Sequence, residues 1–427
     1  MKKTSLKNLD LNVYEETLKN GLKVVLVPCE DKKEYMITYA TKFGSNTTTF
    51  TPIGSKKKVK VPDGIAHFLE HKMFEQKSGE DPFKFFSKTG TSVNASTSYD
   101  NTRYYCYGTK SFEENLKYLI DFVNEPYYTD ENVEKEKGII AEEIKMYLDR
   151  PDVVLDRKLK ENTYKYHPIR IDIGGSIEEI KKITKEDLYL CYNNFYTPSN
   201  MFILIVGKFN IETALDIIKS KFKDEVQKRT AKPLKIKEPD FVFKKNEIIK
   251  SSIEVPKVGI SYKIPKSSLT IKNKEELDLY LVMLISLLFG SSSDFQEEIT
   301  KSELATNFYM DIEDTKDHKA FVFTSSTKKE EELISKVDSV FKNVDISEEE
   351  FERKKKVWIA NEVKLTDYVN PISYNIYDDL IRYDKVIYNR VDLIRKMKLS
   401  KLKEIISSLN LKEKATVIML NSDKKEV

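Results

Sequence analysis

Cysteine and histidine, the residues that most often build metal clusters, are scarce in this chain. Its 427 residues include only three cysteines and four histidines. The cysteines, Cys29, Cys106 and Cys191, are odd in number and widely spaced without a C-x-x-C pair, which argues against a disulfide framework or a cysteine-rich metal site. No apolar segment follows the basic residues at the start, as it would in a secretory signal. We therefore expect free thiols and a cytoplasmic protein.

The chain also lacks a dominant charge of one sign and a long hydrophobic run. A net charge of +3 is small against 72 basic and 69 acidic side chains, so nothing draws the whole protein toward nucleic acid or an anionic membrane. The longest apolar run, residues 279–289, is shorter than the roughly 20 residues that span a bilayer, and it predicts a buried helix. The expected partners therefore include no nucleic acid and no membrane.

What the sequence does contain is a mixed α and β pattern in a soluble composition, since 40% of the residues are hydrophobic and 33% are charged. Runs of β-branched and aromatic residues predict strands, and apolar residues at helical spacing predict helices. The strands are expected at 21–28, 35–44 and 102–108, and the helices at 63–76, 80–88, 112–124 and 130–149.

A similar pattern recurs near each end of the chain and predicts an internal repeat. Residues 183–209 contain a capping Thr184, an amphipathic helix and then a strand, and residues 399–422 follow the same order with Ser400 as the cap. The alternative is two unrelated α+β domains, because helix-then-strand endings are common. The predicted domains are 1–226 and 241–427, with a Lys- and Pro-rich linker at 227–240.

The chemistry is concentrated in the stretch DGIAHFLEHKMFEQ, residues 63–76. Apolar residues recur there at helical spacing, so His67 and His71 lie one turn apart on one face, which lets two imidazoles bind the same Zn²⁺. Glu70 borders that face and can reach a water at the metal as a general base. The alternative is that both histidines are ordinary helix residues with satisfied hydrogen bonds.

A catalytic zinc needs a third protein ligand and an open position for water. The remaining histidines are His167, which is expected to be structural, and His318. Because carboxylates greatly outnumber these two histidines, a carboxylate is the favoured third ligand. In the last predicted helix, Glu136 and Glu143 share a face and Glu142 lies about 100° away. Carboxylates beside apolar neighbours are costly unless a cation meets them, and an ordinary charged surface helix is the alternative.

The H-x-x-E-H order is the mark of the inverzincins, and the match extends beyond these five residues. The stretches DGIAHFLEHKMFE, TGTSVNASTSYDNTRYY, EKEKGIIAEEIKMYLDRP and YTPSNMFILIVG follow one another as in the pitrilysin, insulysin and mitochondrial processing peptidase family. The chain resembles that family strongly over residues 20–210 and weakly beyond. It looks closest to the small bacterial members whose chain is about half the length of insulysin.

The resemblance implies a role for each residue of the motif. It makes His67, His71 and Glu143 the ligands of a Zn²⁺ cofactor. Glu70 becomes the catalytic base that activates water. Glu136 matches a family carboxylate that supports the site from behind the ligands, where it can orient them.

The resemblance also implies how substrate binds. Asn94 and Ala95 match an edge strand that binds an extended peptide substrate by backbone pairing. The expected fold is α+β, with two homologous domains that are each a mixed, mostly antiparallel sheet with helices packed on one face. The expected function is a zinc-dependent endopeptidase that hydrolyses short or unfolded peptides inside a clamshell chamber formed by two such chains or halves.

The chain departs from the family in the half without the zinc motif. Complete members carry there an Arg followed seven residues later by a Tyr, whereas the matching positions hold Ile299 and Thr306, or Lys301 and Phe308 after a shift of two. We therefore favour a heterodimer in which this chain is the catalytic subunit and a paralogous subunit supplies the Arg and Tyr. A homodimer or monomer with altered substrate contacts and a non-catalytic zinc-binding scaffold are the alternatives.

Overall fold

Each strand and helix that the sequence predicts is present in the structure, with ends that differ by at most a few residues. The computed structural model describes residues 1–222 and 229–422, so two residues of the predicted linker lie outside the described ranges. The strands are β1 Lys2–Leu6, β2 Leu11–Thr17, β3 Lys23–Pro28, β4 Tyr35–Thr41, β5 Thr49–Thr51, β6 Val59–Lys60, β7 Ser92–Thr97, β8 Thr102–Gly108, β9 Met201–Gly207, β10 Lys232–Pro233, β11 Asn246–Ser251, β12 Lys257–Pro265, β13 Thr306–Asp314, β14 His318–Ser326 and β15 Lys414–Asn421. The helices are α1 Ile65–Met73, α2 Pro82–Lys88, α3 Phe112–Asn124, α4 Asp130–Leu148, α5 Pro151–Thr163, α6 Ile177–Ile180, α7 Lys185–Phe195, α8 Ile211–Lys221, α9 Lys274–Phe289, α10 Asp294–Lys301, α11 Glu330–Lys342, α12 Glu348–Lys364, α13 Val369–Tyr383, α14 Arg390–Lys396 and α15 Leu399–Ser408.

The chain forms two compact units, each assembled from separate segments. The helix α5 comes from the first half of the sequence but belongs to the second unit, and α13 comes from the second half but belongs to the first. The predicted linker at 227–240, which separates two repeated domains in the linear sequence, stays a prediction. Unit 1 comprises Met1–Ile144, Asp172–Lys235 and Asn361–Val391, and unit 2 comprises Lys145–Ile171, Ile236–Ala360 and Asp392–Val427.

The main sheet of unit 1 has the strand order β1-β2-β3-β9-β4-β8-β7. Among its described strands, β3 and β9 are the parallel pair and the other neighbours are antiparallel. One face packs on helices that include α1, α3 and α7. Val25 and Leu204 point to the other face and pack with Ile372 and Ile376 of α13. The predicted helical layer is therefore present, and a further helix that the sequence did not indicate covers the second face.

Unit 2 repeats this design with the strand order β11-β15-β12-β14-β13. Here β11 and β15 form the parallel pair, in the position that β3 and β9 occupy in unit 1. Val258 and Ile260 of β12 pack with α9, α11 and α15 on one face. On the other face, the Cβ position of Gly259 lies 3.2 Å from the side chain of Leu159 in α5. The matching topologies confirm the predicted α+β fold with two homologous domains.

Two predicted helix starts had different outcomes. Thr184 caps α7 in a full capping box with Asp187, as predicted. Ser400 is wrong as a cap, because α15 begins at Leu399 after Lys398, whose side chain makes no capping bond. A Lys cannot accept a hydrogen bond from the first turn, so this helix depends on its buried apolar face instead.

The longest apolar run forms α9, as predicted. Residues 274–301 have the length and hydropathy of a membrane span, but 61% of the apolar window is buried inside the protein. Tyr280, Leu281 and Leu284 of this helix belong to the core of unit 2. The apolar run is therefore accounted for by packing against a sheet.

Candidate metal centre

The helix that carries two of the histidines begins where two glycine backbones meet. Gly64 precedes α1 with a φ of +86°, and a Cβ placed there would lie 2.3 Å from the carbonyl oxygen of Gly174. Gly175 has a φ of +75°, and a Cβ there would lie 2.5 Å from the carbonyl oxygen of Asp63. The left-handed backbone and the close approach leave room only for glycine. This contact fixes the start of α1 and hence the direction of its histidines.

His67 and His71 project from the same side of α1. The centroids of their imidazole rings lie 4.6 Å apart. Ile65, Phe68 and Leu69 of the same helix are buried in the core of unit 1. The spacing of four residues thus places the two rings next to each other, while the apolar residues anchor the helix.

Glu143 reaches the same two rings from α4. Its Oε1 atom lies 3.9 Å from Nε2 of His67, and its Oε2 atom lies 3.5 Å from Nε2 of His71. One donor atom from each of the three side chains lies within 4.8 Å of the other two. Ile140 and Ile144 are buried on this helix, so α4 is anchored with its carboxylate facing α1. The structure therefore brings together the three residues predicted as metal ligands.

Glu136 lies two turns before Glu143 and contacts the other nitrogen of His71. Oε1 of Glu136 is 3.0 Å from Nδ1 of His71. An ionised carboxylate only accepts hydrogen bonds, so His71 donates from Nδ1, and Nε2, which faces Glu143, is the nitrogen left to bind a metal ion. Burial lowers the pKa of His71 and raises that of Glu136, but their hydrogen bond and mutual attraction reverse both shifts. Glu136 thereby holds the imidazole in one tautomer.

Lys72 is a residue of this site that sequence reasoning missed. Its side chain is completely buried, and its ammonium group pairs with Glu75 and lies 3.7 Å from Oε2 of Glu136. A cation at this place favours the ionised form of Glu136. The sequence offered no signal for it, because a lysine on a helix is usually exposed.

The second ring nitrogen of His67 is Nδ1. Nδ1 is buried and makes no hydrogen bond with any residue that the structure describes. Burial, and then the neighbouring His71, lower the pKa of His67 to about 4, so the ring is neutral. Neutral imidazole is the form that binds a metal ion.

The three donors fit a zinc ion. Two imidazole nitrogens and one carboxylate oxygen form one of the ligand sets of catalytic zinc sites, which leave a fourth position open. The carboxylate of Glu143 and the two rings are each partly buried, and the three point at one another. A cation relieves the cost of placing a carboxylate against two imidazole lone pairs. An ordinary surface helix offers no reason for this convergence.

Glu70 borders the cluster and is held by a threonine. Its Oε2 atom accepts a hydrogen bond of 2.7 Å from the hydroxyl group of Thr97 on β7. Burial raises the pKa of Glu70, although the bond from Thr97 opposes this shift. A carboxylate with a raised pKa accepts protons more readily near neutral pH. Sequence reasoning missed Thr97, although strand alternation puts it on the same face as Ala95.

The residues predicted to bind substrate lie on β7, the edge strand of the unit 1 sheet. Asn94 is exposed, and its Oδ1 atom accepts a hydrogen bond of 2.8 Å from the backbone N–H of Ala95. Ala95 and Val93 pack against the core on the side of α1. Because β7 pairs with β8 along one side, its other side presents backbone groups to which a further strand can bind.

The positions that match the Arg and Tyr of complete family members lie in unit 2. Ile299 is buried in α10, and Thr306 is exposed at the start of β13. After the shift of two, Lys301 forms an ion pair within α10, and Phe308 packs in an aromatic cluster. None of these four residues is an Arg or a Tyr, and Ile299 and Phe308 pack in the apolar core of unit 2.

The other two histidines lie in unit 2. His167 caps a short helical turn, because its Nδ1 atom accepts a hydrogen bond of 3.2 Å from the N–H of Ile169. Nε2 of His318 lies 2.8 Å from Oδ1 of Asp240. Within the described residues neither belongs to a group of metal-ligating side chains. The structural role expected for His167 agrees with this geometry.

Comparison with known sequences places both halves of the chain in one family. The family model described as Insulinase (Peptidase family M16) matches residues 40–176, which contain every residue of the candidate metal centre. The model described as Peptidase M16 inactive domain matches residues 182–357, which lack the H-x-x-E-H motif.

Individual proteins show the same relationship. The uncharacterized zinc protease YmfH of Bacillus subtilis is 44% identical over 306 residues, which cover 70% of each chain. The zinc protease PqqE of Helicobacter pylori is 27% identical over 318 residues, which cover 72% of this chain and 68% of that protein. The crystal structure of an M16-like peptidase from Alicyclobacillus acidocaldarius superimposes with a TM-score of 0.91 at 30% identity, covering 97% of this chain and 99% of that one.

The repeated fold and the cluster on α1 and α4 therefore define a protein of the metallopeptidase class. Within that class, the chain belongs to peptidase family M16.

Proposed function

We propose that the chain is a zinc-dependent endopeptidase that hydrolyses short or unfolded peptides. The observation that carries the proposal is the convergence of His67, His71 and Glu143, whose donor atoms lie within 4.8 Å of one another. Its relatives YmfH and PqqE are named zinc proteases. Bound at this cluster, zinc supplies a Lewis acid that polarises a carbonyl group and makes a water molecule more acidic.

Glu70 is the proposed catalytic base. It takes a proton from the water that attacks the scissile carbonyl carbon, and it returns this proton to the nitrogen of the leaving amine. The hydroxyl of Thr97 holds Oε2, so that Oε1 is left to carry the proton. Glu136 acts indirectly, because its hydrogen bond to Nδ1 of His71 leaves Nε2 for the metal.

The edge strand β7 is the proposed binding site for substrate. A peptide that adds beside Asn94 and Ala95 pairs through its backbone, so it must be extended over several residues. Folded proteins rarely present such a segment, which supports a preference for short or unfolded peptides. Thr97 of the same strand contacts Glu70, so a paired peptide lies next to the base.

We further propose that this chain is the catalytic subunit of a heterodimer that closes a clamshell chamber around the peptide. Support comes from Ile299, which is buried where complete family members carry a substrate-binding Arg. A paralogous subunit supplies the missing Arg and Tyr in this proposal. A homodimer with altered contacts is the second possibility. The description of residues 182–357 as an inactive domain also leaves open a non-catalytic zinc-binding scaffold.

Cleavage of an unstructured, internally quenched peptide tests these functions. The zinc-loaded protein is assayed alone and together with a purified paralogous chain. Glu70→Gln is expected to retain zinc and to lose about a hundredfold or more in rate, because a positioned base contributes that much. Glu142→Gln, an exposed neighbour on α4, serves as the control. Full activity of the protein alone would overturn the heterodimer, and retained zinc without cleavage in any pairing would favour the scaffold.

The proposal includes a cytoplasmic location. It is supported by three buried, free cysteines, which a reducing compartment preserves. Cell fractionation with antibodies against the protein tests it, and recovery with extracytoplasmic markers would contradict it.

A further inference from the structure

Arg103 on β8 is held among three tyrosine rings close to the edge strand. Its guanidinium carbon lies 4.8 Å from the ring centroids of Tyr105, Tyr374 and Tyr377. Tyr105 is on β8, and the other two tyrosines are on α13, which belongs to the same compact unit. Aromatic faces attract a guanidinium group and orient its plane. Arg103 is therefore a pre-positioned cation.

The guanidinium group of Arg103 keeps most of its hydrogen-bonding capacity. Its Nε atom donates a hydrogen bond of 2.9 Å to Oγ of Ser96 on β7. An arginine has five N–H bonds, so four are left after this contact. Over residues 1–222 and 229–422, no carboxylate forms an ion pair with Arg103. An ordered guanidinium group without an anionic partner is suited to bind a carboxylate from another molecule.

Arg103 also lies where a bound peptide would pass. It is opposite Ser96 in the register between β7 and β8. Because side chains alternate along a strand, Ser96 points to one face of the sheet and Thr97, which contacts Glu70, points to the other. A peptide added beside β7 directs alternate side chains to these two faces. Side chains on the face of Ser96 therefore come close to the guanidinium group.

This inference rests on the proposed function, because it concerns what the same edge strand selects. We propose that Arg103 selects peptides that present a carboxylate on the Ser96 face of β7. The carboxylate belongs either to an Asp or Glu side chain or to the C-terminus of a short peptide. The two outer nitrogens of the guanidinium group match the two carboxylate oxygens. Tyr105, Tyr374 and Tyr377 are positioning residues that hold the group in place.

Fluorescence anisotropy with labelled, unstructured peptides tests this selection by binding alone. Glu70→Gln is the background protein, so that turnover does not interfere. The peptides carry Glu, Gln or Lys at one position with an amidated C-terminus, and the Gln peptide is also made as a free acid. Tighter binding of the amidated Glu peptide assigns the carboxylate to a side chain, whereas tighter binding of the free acid assigns it to the C-terminus.

The carboxylate peptide is expected to bind about tenfold or more tightly than the amidated Gln peptide, as for a charged hydrogen-bonded pair. Adding Arg103→Gln should reduce this ratio to about one while the Gln peptide binds as before, which also shows that the protein is folded. Arg103→Lys keeps the charge without the paired donors and should give an intermediate ratio. Arg103→Glu should favour the Lys peptide.

Arg382→Gln is the matched control. Arg382 lies on α13, like Tyr374 and Tyr377, but it pairs with Asp378. Its replacement removes a positive charge and should leave the ratio of affinities unchanged. Equal binding of all peptides, no binding, or a preference that survives Arg103→Gln would overturn the inference. A preference that depends on Arg103 in a protein that cleaves no peptide would support it while overturning the proposed peptidase.

Discussion

Nδ1 of His71 lies 3.0 Å from Oε1 of Glu136, and this contact connects the metal-facing ring on α1 with a second carboxylate on α4. It determines which nitrogen of His71 is left for a metal ion. Lys72, buried beside Glu136, balances the charge of that carboxylate. A hydrogen bond thus joins the two helices, and Glu136 orients a metal ligand without being a ligand itself.

The role of Glu136 can be measured through zinc affinity. Glu136→Gln is expected to weaken zinc binding about tenfold to a hundredfold, because a neutral amide orients His71 less firmly. Competition with a chromophoric chelator gives the affinity. Glu142→Gln, exposed on the same helix, should bind zinc like the wild type. Equal affinities for wild type and Glu136→Gln would contradict this role.

The hydroxyl group of Thr97 is expected to affect catalysis and not metal content. Thr97→Val removes the hydrogen bond to Glu70 with little change in shape, and kcat should fall about tenfold or more, as for a bond to a charged group. Zinc content should stay that of the wild type. Thr97→Ser keeps the hydroxyl and is the control. If Thr97→Val cleaves peptide as fast as Thr97→Ser, the hydroxyl does not hold the base.

Two glycines near the site should respond in opposite ways to the same substitution. Gly64→Ala is expected to lower the free energy of unfolding by more than about 1 kcal/mol, because its φ is +86° and a Cβ would lie 2.3 Å from Gly174. Gly138→Ala, inside α4 with open space around its Cβ position, should raise it by roughly 0.5–1 kcal/mol. Urea unfolding measures both changes. If Gly64→Ala leaves the free energy of unfolding unchanged, the contact with Gly174 does not fix the start of α1.

Unit 2 contains a buried ion pair whose loss should be costly. Nζ of Lys263 lies 2.7 Å from Oε1 of Glu238, and both side chains are almost fully buried. Lys263→Met leaves a buried carboxylate without its cation, and we expect a loss of about 3–5 kcal/mol in the free energy of unfolding. The double variant Lys263→Met, Glu238→Gln should recover part of the loss. A double variant that is less stable than Lys263→Met would contradict this explanation.

The same pair predicts how stability changes with pH. Burial raises the pKa of Glu238, but the hydrogen bond from Lys263 and bonds from backbone N–H groups outweigh it, so the pKa lies below its ordinary value of 4.5. A carboxyl group with a lower pKa in the folded state stabilises the protein above its unfolded pKa, and this contribution disappears as pH falls through the folded pKa. The gap in stability between wild type and Glu238→Gln should therefore shrink on acidification below pH 4.5. A gap that widens in acid would contradict the assigned shift.

Local patterns in the sequence predicted part of the site. His67 and His71 are four residues apart on one helix, so their proximity follows from helical geometry alone. The pairing of α1 with α4 could not be derived in that way, and Glu143 was chosen over Glu136 and Glu142 only through the family resemblance. The structure places Glu143 against both rings and Glu136 behind one of them.

Contacts between distant segments could not be predicted. Arg103 and Tyr374 are far apart in the sequence but are in contact, because α13 packs on a sheet made from the first half of the chain. Lys72 lies on α1 next to a ligand, and its pairing with Glu75 is local, but its contact with Glu136 depends on the packing of α4. Tertiary packing decides these positions, and neither helix propensity nor strand alternation contains that information.

The most direct test of the metal centre is the zinc content per chain, measured by inductively coupled plasma mass spectrometry after zinc loading and desalting. The variant Glu143→Gln loses a carboxylate whose oxygens face both histidines, and Glu142→Gln is its exposed neighbour. We predict one zinc ion per chain for the wild type and Glu142→Gln, and a large loss for Glu143→Gln. A wild type without zinc, or a Glu143→Gln protein that keeps one zinc ion per chain, would contradict the assignment of His67, His71 and Glu143 as a single metal site.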